Sequence, residues 1–251
     1  MAAGLLSMAK FLRIAHSGAG AYAPANTLRS LELALQFGVD MVEFDVRRCR
    51  DALVLIHDKN LRASTSGRGN VGDYTLAELR RVDAGEGETI PTLHEAVSLI
   101  NRRAQINVDL KEVGYEGEVL EVLRQHGVLG DVLISSLIPA SLRTVKALAP
   151  EVPVGLSYPS MNPYKALVVR LTPWLMRLTI RWHIIRMIAT AHADATMMHH
   201  QIITPQLVTV VHRHGYRIFA WTVDNLVVMQ RLKKMGIDGI TSNRPDFLVQ
   251  L

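Results

Sequence analysis

Cysteine and long apolar runs are what this 251-residue chain conspicuously lacks. Its single cysteine, Cys49, excludes a disulfide within the chain, which suits a reducing compartment and predicts a cytoplasmic protein. The chain contains no long apolar run that is free of charge, so no membrane-spanning helix is predicted. Residues 1–10 lack the charged start and long apolar core of a signal peptide, so none is expected. The composition therefore argues against a membrane-spanning protein and against a disulfide-rich scaffold.

Linkers and strongly basic tracts are also missing. No Pro/Ser-rich stretch or low-complexity tract divides the chain, and 49% of its residues are hydrophobic, so we expect one domain over residues 1–251. The net charge of +5 suits anionic ligands such as phosphate esters or acidic lipid surfaces. Without a zinc-finger spacing, an RNA-binding signature or a dense Lys/Arg run, no nucleic-acid partner is expected.

Two acidic residues interrupt an apolar segment near the N-terminus. In the segment 39–46, Glu43 and Asp45 are separated by one residue, so a β-strand would place both on one face. Neighbouring carboxylates repel each other unless a cation neutralises them, and hard divalent cations prefer oxygen ligands. The pattern predicts a site for Mg²⁺ or Ca²⁺. The alternative is a solvated edge strand, which the flanking Val, Met and Phe residues disfavour.

Short apolar segments alternate with helical patterns along the whole chain. Strands are predicted at 11–16, 39–46, 106–110, 132–136, 153–158, 194–198, 217–222 and 238–241. Helices are predicted at 27–37, 92–102, 116–126, 139–148, 164–189, 204–214 and 225–235. This order predicts an α/β fold, a (β/α)₈ TIM barrel. Residues 47–91 exceed a normal strand-to-helix connection and are predicted to form a small insertion after the second strand.

Polar residues fall at the carboxyl ends of the predicted strands. Active sites of this barrel lie at that end of the strands, so residues far apart in sequence should converge there. The residues in such positions are His16, Glu43, Asp45, Asp109, Lys111, Trp221 and Asn243.

The order of these motifs resembles the glycerophosphodiester phosphodiesterase family over nearly the whole chain. The matching segments are His16 with its Gly-rich loop and Pro24-Ala25-Asn26-Thr27, Glu43-Phe44-Asp45, His57-Asp58, Asn107–Lys111, Trp221–Asp224 and Gly236–Pro245. The resemblance implies a phosphoric diester hydrolase. It would use a divalent cation to cleave glycerophosphodiesters into an alcohol and glycerol phosphate, a reaction of lipid metabolism.

The resemblance also implies roles for individual residues. It makes His16 and His57 the acid/base catalysts and Glu43, Asp45 and Asp109 the ligands of Mg²⁺ or Ca²⁺. Lys111, Arg47 and Trp221 would contact the substrate. Two alternatives stay open, because Lys111 could form a structural ion pair and Trp221 could be part of the core.

The chain departs from the family pattern at four of these positions. Ser17 replaces an Arg, Ala25 a Glu, Asp109 a Glu and Asn243 an Asp. The loss of both the Arg and the Glu removes a plausible ion pair and a phosphate donor. Arg47 shares the face of Glu43 and Asp45, and we predict that it replaces the lost phosphate contact. The departures also support an alternative, a non-catalytic phosphate-binding barrel.

The predicted helix at 164–189 combines apolar residues with arginines. It contains Trp174, Trp182, Arg177 and Arg181. Such a composition is typical of an ordinary outer barrel helix with a basic edge, and also of a helix in peripheral contact with an anionic membrane. The second interpretation supports a lysophospholipase D that acts on lysophospholipid head groups.

Overall fold

The computed structural model describes residues 10–159 and 173–251. Eight parallel strands form the barrel: β1 (Leu12–Ala15), β2 (Met41–Arg48), β4 (Gln105–Leu110), β5 (Val132–Ser136), β6 (Val154–Tyr158), β7 (Ala195–His199), β8 (Arg217–Trp221) and β9 (Gly239–Ser242). A short strand, β3 (Leu53–Leu55), pairs antiparallel with the end of β2. The predicted (β/α)₈ barrel is confirmed.

The sheet closes through β1, which pairs with β2 on one side and with β9 on the other. The second strand, β2, lies between β1 and β4 and is buried over most of its length. The solvated edge strand considered for Glu43 and Asp45 is therefore excluded.

Helices follow most strands on the outside of the barrel, and one short helix, the second, lies in the segment after β3. They are α1 (Leu28–Gln36), α2 (Leu76–Leu79), α3 (Leu93–Ile100), α4 (Glu116–Gln125), α5 (Pro139–Leu148), α6 (Pro173–Thr190), α7 (Pro205–Arg213), α8 (Leu226–Lys234) and α9 (Pro245–Leu248). Several begin at side-chain caps that satisfy the free N–H groups of the first turn. Thr27 caps α1, and Thr92 forms a reciprocal capping box with Glu95 at α3.

Apolar side chains fill the lower barrel interior. The buried cluster there consists of Leu12, Ile14, Met41, Leu133, Ala195, Met197 and Phe219. Gly239 is required at its edge, because a Cβ atom at this position would lie 2.5 Å from the Leu12 carbonyl oxygen. This cluster fills the barrel at the amino ends of the strands. A cavity can therefore open only at the carboxyl ends, where polar side chains point inward.

Residues 49–91 pack over one side of the barrel mouth with a small core of their own. This core contains Cys49, Val54, Ile56, Leu61, Val71, Leu79 and Ile90. Cys49 is buried in it and unpaired. The segment holds β3, α2 and short 3₁₀ turns, and it brings His57 to the mouth.

The helix predicted at 164–189 corresponds to α6, which begins at Pro173 and ends at Thr190. Its first predicted turns, and the side chains of Trp174 and Arg177, lie outside the described residues. Ile180, Ile184 and Ile188 bury one face against the barrel. No described helix has both the length and the apolar character needed to cross a membrane.

Candidate active site

A cavity of about 290 Å³ opens at the carboxyl ends of the strands. Among its lining residues are His16, Glu43, Asp45, His57, Asn107, Asp109, Lys111, Ser135, Trp221 and Thr241. The structure thus brings together seven of the eight residues predicted for the site. The exception is Arg47, which does not line the cavity.

Three buried carboxylates form the centre of this cavity. One oxygen from each of Glu43, Asp45 and Asp109 lies within 4.8 Å of the others. Asp45 and Asp109 are paired in register on β2 and β4, and Glu43 stands two residues before Asp45 on the same strand face. An all-oxygen, anionic donor set of this size fits a hard divalent cation such as Mg²⁺ or Ca²⁺. It does not distinguish the two ions.

Lys111 lies between two of these carboxylates. Its Nζ is 2.6 Å from Asp45 Oδ1 and 2.5 Å from Asp109 Oδ2. Burial alone would lower the pKa of Lys111, but Asp109, Asp45 and Glu43 outweigh it and hold the pKa well above its usual value. Lys111 therefore stays positively charged, and it offsets part of the negative charge of the cluster.

Hydrogen bonds fix each carboxylate in place. Asp45 Oδ2 accepts from Asn26 Nδ2 at 2.8 Å and from Ser17 Oγ at 3.2 Å, while the Asp45 backbone N–H donates to Asn26 Oδ1 at 3.0 Å. Glu43 Oε2 accepts from the Ser17 backbone N–H at 2.8 Å, and Asp109 Oδ1 accepts from Ser135 Oγ at 2.7 Å. Hydrogen bonds from the protein thus orient all three proposed ligands.

The carboxylates differ in how easily they ionise. Burial raises the pKa of Glu43 to about 8, and the adjacent charge of Asp45 adds to this effect. Burial also opposes ionisation of Asp45, but Lys111, His57 and His16 outweigh it and hold the pKa of Asp45 well below its usual range. The charge of Glu43 is thus more costly in this cavity than the charge of Asp45.

His16 is held at the end of β1 by an amide. Its Nδ1 lies 2.8 Å from Asn243 Oδ1, and Asn243 Nδ2 donates to Asp224 Oδ2 at 2.7 Å. Burial lowers the pKa of His16, but the charges of Glu43 and Asp45 outweigh burial, and the net pKa is raised. The side chain is partly buried and lines the cavity next to the carboxylates.

His57 approaches the cavity from the segment after β3. Its Nδ1 lies 3.1 Å from Asp58 Oδ1, and its side chain is 57% exposed. Arg47 contacts this loop instead of the cavity, because its Nε donates to the His57 carbonyl oxygen at 2.9 Å and its Nη1 to Glu112 Oε1 at 2.8 Å. The site therefore has one partly buried histidine, His16, and one exposed histidine, His57.

Trp221 forms part of the wall at the end of β8. Its Nε1 donates to the Met197 carbonyl oxygen at 2.7 Å, and its ring makes an edge contact with His199 at a centroid distance of 5.7 Å. His199 in turn stacks on His200, and neither lines the cavity. Trp221 thus combines packing against the barrel with an indole surface on the cavity.

Several polar residues of the site were not assigned a role from sequence. Asn26 and Ser135 fix the carboxylates, and Asp224 orients Asn243. Asn107 Oδ1 and Thr241 Oγ1 are buried at the cavity and have no hydrogen-bond partner among the described residues. In the sequence, only their position on the inward-pointing face of a strand indicates a role in the site. Buried acceptors without a partner favour a ligand that carries hydroxyl groups.

Comparisons with known proteins agree with this geometry. The model of the glycerophosphoryl diester phosphodiesterase family matches residues 16–247. A glycerophosphodiester phosphodiesterase of Caldanaerobacter subterraneus is 34% identical over 258 residues, covering 96% of this chain and 98% of that protein. Another, from Bacillus subtilis, is 28% identical and covers 96% of this chain and 86% of its own length.

Solved structures give the same result. An Oleispira antarctica phosphodiesterase in complex with the product sn-glycerol-3-phosphate superimposes with a TM-score of 0.80 at 29% identity, covering 96% of each chain. The resemblance noted in the motifs is thereby confirmed by sequence and by fold. This chain belongs to the glycerophosphoryl diester phosphodiesterase family, and it is a phosphoric diester hydrolase.

Proposed function

We propose that this protein hydrolyses glycerophosphodiesters to an alcohol and glycerol phosphate in a reaction that depends on a divalent cation. The observation that carries the proposal is one cavity that combines three buried carboxylates, a charged lysine and two histidines. The relative from Oleispira antarctica that was crystallised with sn-glycerol-3-phosphate supports a glycerol phosphate product.

Glu43, Asp45 and Asp109 would hold the cation. Bound there, it would neutralise phosphoryl oxygen charge and increase the electrophilicity of phosphorus. Lys111 adds a fixed positive charge beside the same oxygens. Asn107 Oδ1 and Thr241 Oγ1 suit the glycerol hydroxyl groups, since each is a buried acceptor without a protein partner in the described chain.

The two histidines would move the protons. Asn243 Oδ1 accepts from Nδ1 of His16, which leaves Nε2 for exchange with the substrate. His57, oriented by Asp58, reaches the same cavity from the segment after β3. One histidine removes the proton of the attacking oxygen and the other protonates the departing alkoxide, so both bonds change without a build-up of charge.

The direct test is hydrolysis of purified glycerophosphodiesters by the purified protein. Activity should disappear with a chelator and return when Mg²⁺ or Ca²⁺ is added, and the ion that restores it best identifies the cofactor. Activity that is indifferent to chelation would contradict the metal dependence. Phosphate-ester binding without turnover would favour the non-catalytic phosphate-binding barrel.

A second candidate activity is that of a lysophospholipase D at an anionic membrane surface. Its support is on α6, where Trp182 is 77% exposed and the Arg181 guanidinium lies 5.0 Å from the indole centroid. An exposed Trp beside an Arg suits insertion at a lipid interface. The single buried Cys49 supports a reducing compartment such as the cytoplasm, from which such a contact would be peripheral.

A further inference from the structure

A second cavity of about 300 Å³ adjoins the first and shares its two histidines. We name it the side cavity. It lies between the loop after β1 and the segment after β3. Besides His16 and His57, its walls include Ser17, Ala25, Leu55, Ile56 and Asp58. Its volume is at the lower limit for ligand pockets, so a small group is the appropriate occupant.

The side cavity exists because the side chains on one wall are short or turned away. Ala25 ends at Cβ. Ser17 and Asn26 line the side cavity too, but both direct their side-chain donors to Oδ2 of Asp45, a carboxylate of the first cavity. The turn that carries them is held by a hydrogen bond of 3.0 Å from the Asn26 backbone N–H to the Ser17 carbonyl oxygen. The open space is therefore built into the loop.

The walls of the side cavity differ in charge from those of the first cavity. The first contains Lys111, which suits the phosphate. The side cavity has apolar walls from Leu55 and Ile56, one carboxylate, that of Asp58, and no lysine or arginine among its described lining residues. A second anionic group would be repelled there, whereas a short chain that ends in an amine would find both apolar contact and an opposite charge.

We infer that the side cavity is the subsite for the leaving alcohol, and that it selects a small amino alcohol whose ammonium group faces Asp58. The inference rests on the proposed function. During hydrolysis, a water oxygen bonds to phosphorus and passes one proton to one of the two histidines, while the bond between phosphorus and the amino alcohol oxygen breaks. That oxygen takes a proton from a histidine shared by the two cavities and leaves as a neutral hydroxyl group.

The role of Asp58 in recognising the ammonium group is tested with two substrates. They are glycerophosphoethanolamine and glycerophosphoglycerol, whose leaving alcohol is neutral. The wild type should prefer the first by kcat/KM, and Asp58→Asn should reduce the ratio of the two values about fivefold, as expected for a partly exposed ion pair. Because Asp58 also contacts His57, both rates can fall together, but their ratio reports recognition alone. An unchanged ratio would overturn the assignment of Asp58.

Whether the side cavity accommodates the leaving alcohol is tested by filling it with a larger side chain. Ala25→Leu should lower kcat/KM for glycerophosphoethanolamine by on the order of tenfold, with little change for the methyl ester of glycerol phosphate, whose leaving group is too small to reach the wall. The matched control is Ala189→Leu, at an exposed position on α6. Equal losses for both substrates would overturn the subsite. A wild type that hydrolyses no diester at all would overturn the proposed function together with the subsite. A wild type that is active but shows equal losses would overturn the subsite alone.

Discussion

Nδ1 of His16 lies 2.8 Å from Oδ1 of Asn243, a residue 227 positions later in the chain. The Asn243 amide also donates to Asp224 Oδ2 at 2.7 Å, and its backbone N–H donates to Asp224 Oδ1 at 2.8 Å. Since the amide nitrogen faces a carboxylate, its oxygen must face the histidine, which makes Nδ1 the donor. Asp224 thereby sets the tautomer of His16 through an intervening amide.

The first prediction follows from this arrangement. Asn243→Leu removes the acceptor and should lower kcat by about 10–100-fold with little change in KM, because His16 loses its orientation. Asn243→Asp keeps an acceptor at the same place and should retain more activity than the Leu variant. Steady-state measurement of kcat and KM for the two variants tests this prediction. A Leu variant with wild-type kcat would show that the contact is irrelevant to turnover.

The carboxylates give the second prediction. Glu43→Gln should abolish cation binding and activity without lowering the melting temperature of the cation-free protein, because burial of the Glu43 charge opposes stability. Asp45→Asn should also abolish binding, but it loses the charge that pairs with Lys111 and should melt lower. Added Mg²⁺ or Ca²⁺ should raise the melting temperature of the wild type but not that of the Glu43→Gln or Asp45→Asn variant. Glu118→Gln, on the exposed surface of α4, serves as the control.

Arg47 is the subject of the third prediction. The strand pattern predicts a phosphate contact for Arg47, but its guanidinium instead bonds to the His57 carbonyl oxygen and to Glu112, the neighbour of Lys111. We therefore expect Arg47→Met to lower kcat on the order of tenfold with KM nearly unchanged, as for a residue that positions a catalyst. Arg48→Met is the matched control, since Arg48 is 50% exposed. A raised KM at constant kcat would instead support a direct phosphate contact.

The fourth prediction concerns stability at low pH. Asp40 accepts hydrogen bonds from Arg13 and Lys10 at the end of the barrel opposite the site. Burial alone would raise the pKa of Asp40, but the bonds from Arg13 and Lys10 outweigh it and lower the pKa from 3.8 to about 2. Because the folded pKa is depressed, this contribution is present above pH 3.8 and is lost as the pH falls towards 2.

Asp40→Asn should accordingly reduce the free energy of unfolding at pH 7 by roughly 1–2 kcal/mol. The difference from wild type should shrink as the pH falls, and urea unfolding at several pH values measures it. Glu86→Gln breaks an exposed ion pair with Arg29 and should change little. A difference that is constant with pH would show that ionisation of Asp40 does not contribute.

The fifth prediction tests membrane contact. Arg181→Gln should weaken binding to anionic vesicles about fivefold, since a basic residue near such a surface contributes about 1 kcal/mol. Trp182→Ala should weaken it further, and low salt should strengthen wild-type binding. Hydrolysis of a short soluble diester should not change. Arg213→Gln on α7 is the control, and a wild type that fails to sediment with anionic vesicles would remove the support for a lysophospholipase D.

The sequence predicts the barrel well because its strands are buried on both faces and appear as short apolar segments. It also predicts the shared face of Glu43 and Asp45, because side chains along a strand alternate with a period of two. The same rule misleads for Arg47. There β2 has passed the barrel mouth and pairs with β3, so its side chain contacts the His57 loop.

Contacts that depend on loop conformation could not be predicted from the sequence. Ser17 and Asn26 have φ angles of 49° and 62°, and this left-handed backbone turns both side chains towards Asp45. No periodicity encodes such a turn. The orientation of Asn243 by Asp224 is similarly hidden, because it joins the ends of β8 and β9 through side-chain geometry alone.

The pairing of β1 with β9 has a consequence for biosynthesis. During translation β1 leaves the ribosome well before β9, so in the interval β1 has only one of its two neighbouring strands. His16 can meet Asn243 only after the segment that carries residue 243 has emerged. A nascent or truncated chain that lacks residues 239–243 contains all three carboxylates and still lacks the partner that orients His16. Catalytic competence should therefore arise only once β9 and Asn243 have joined the barrel.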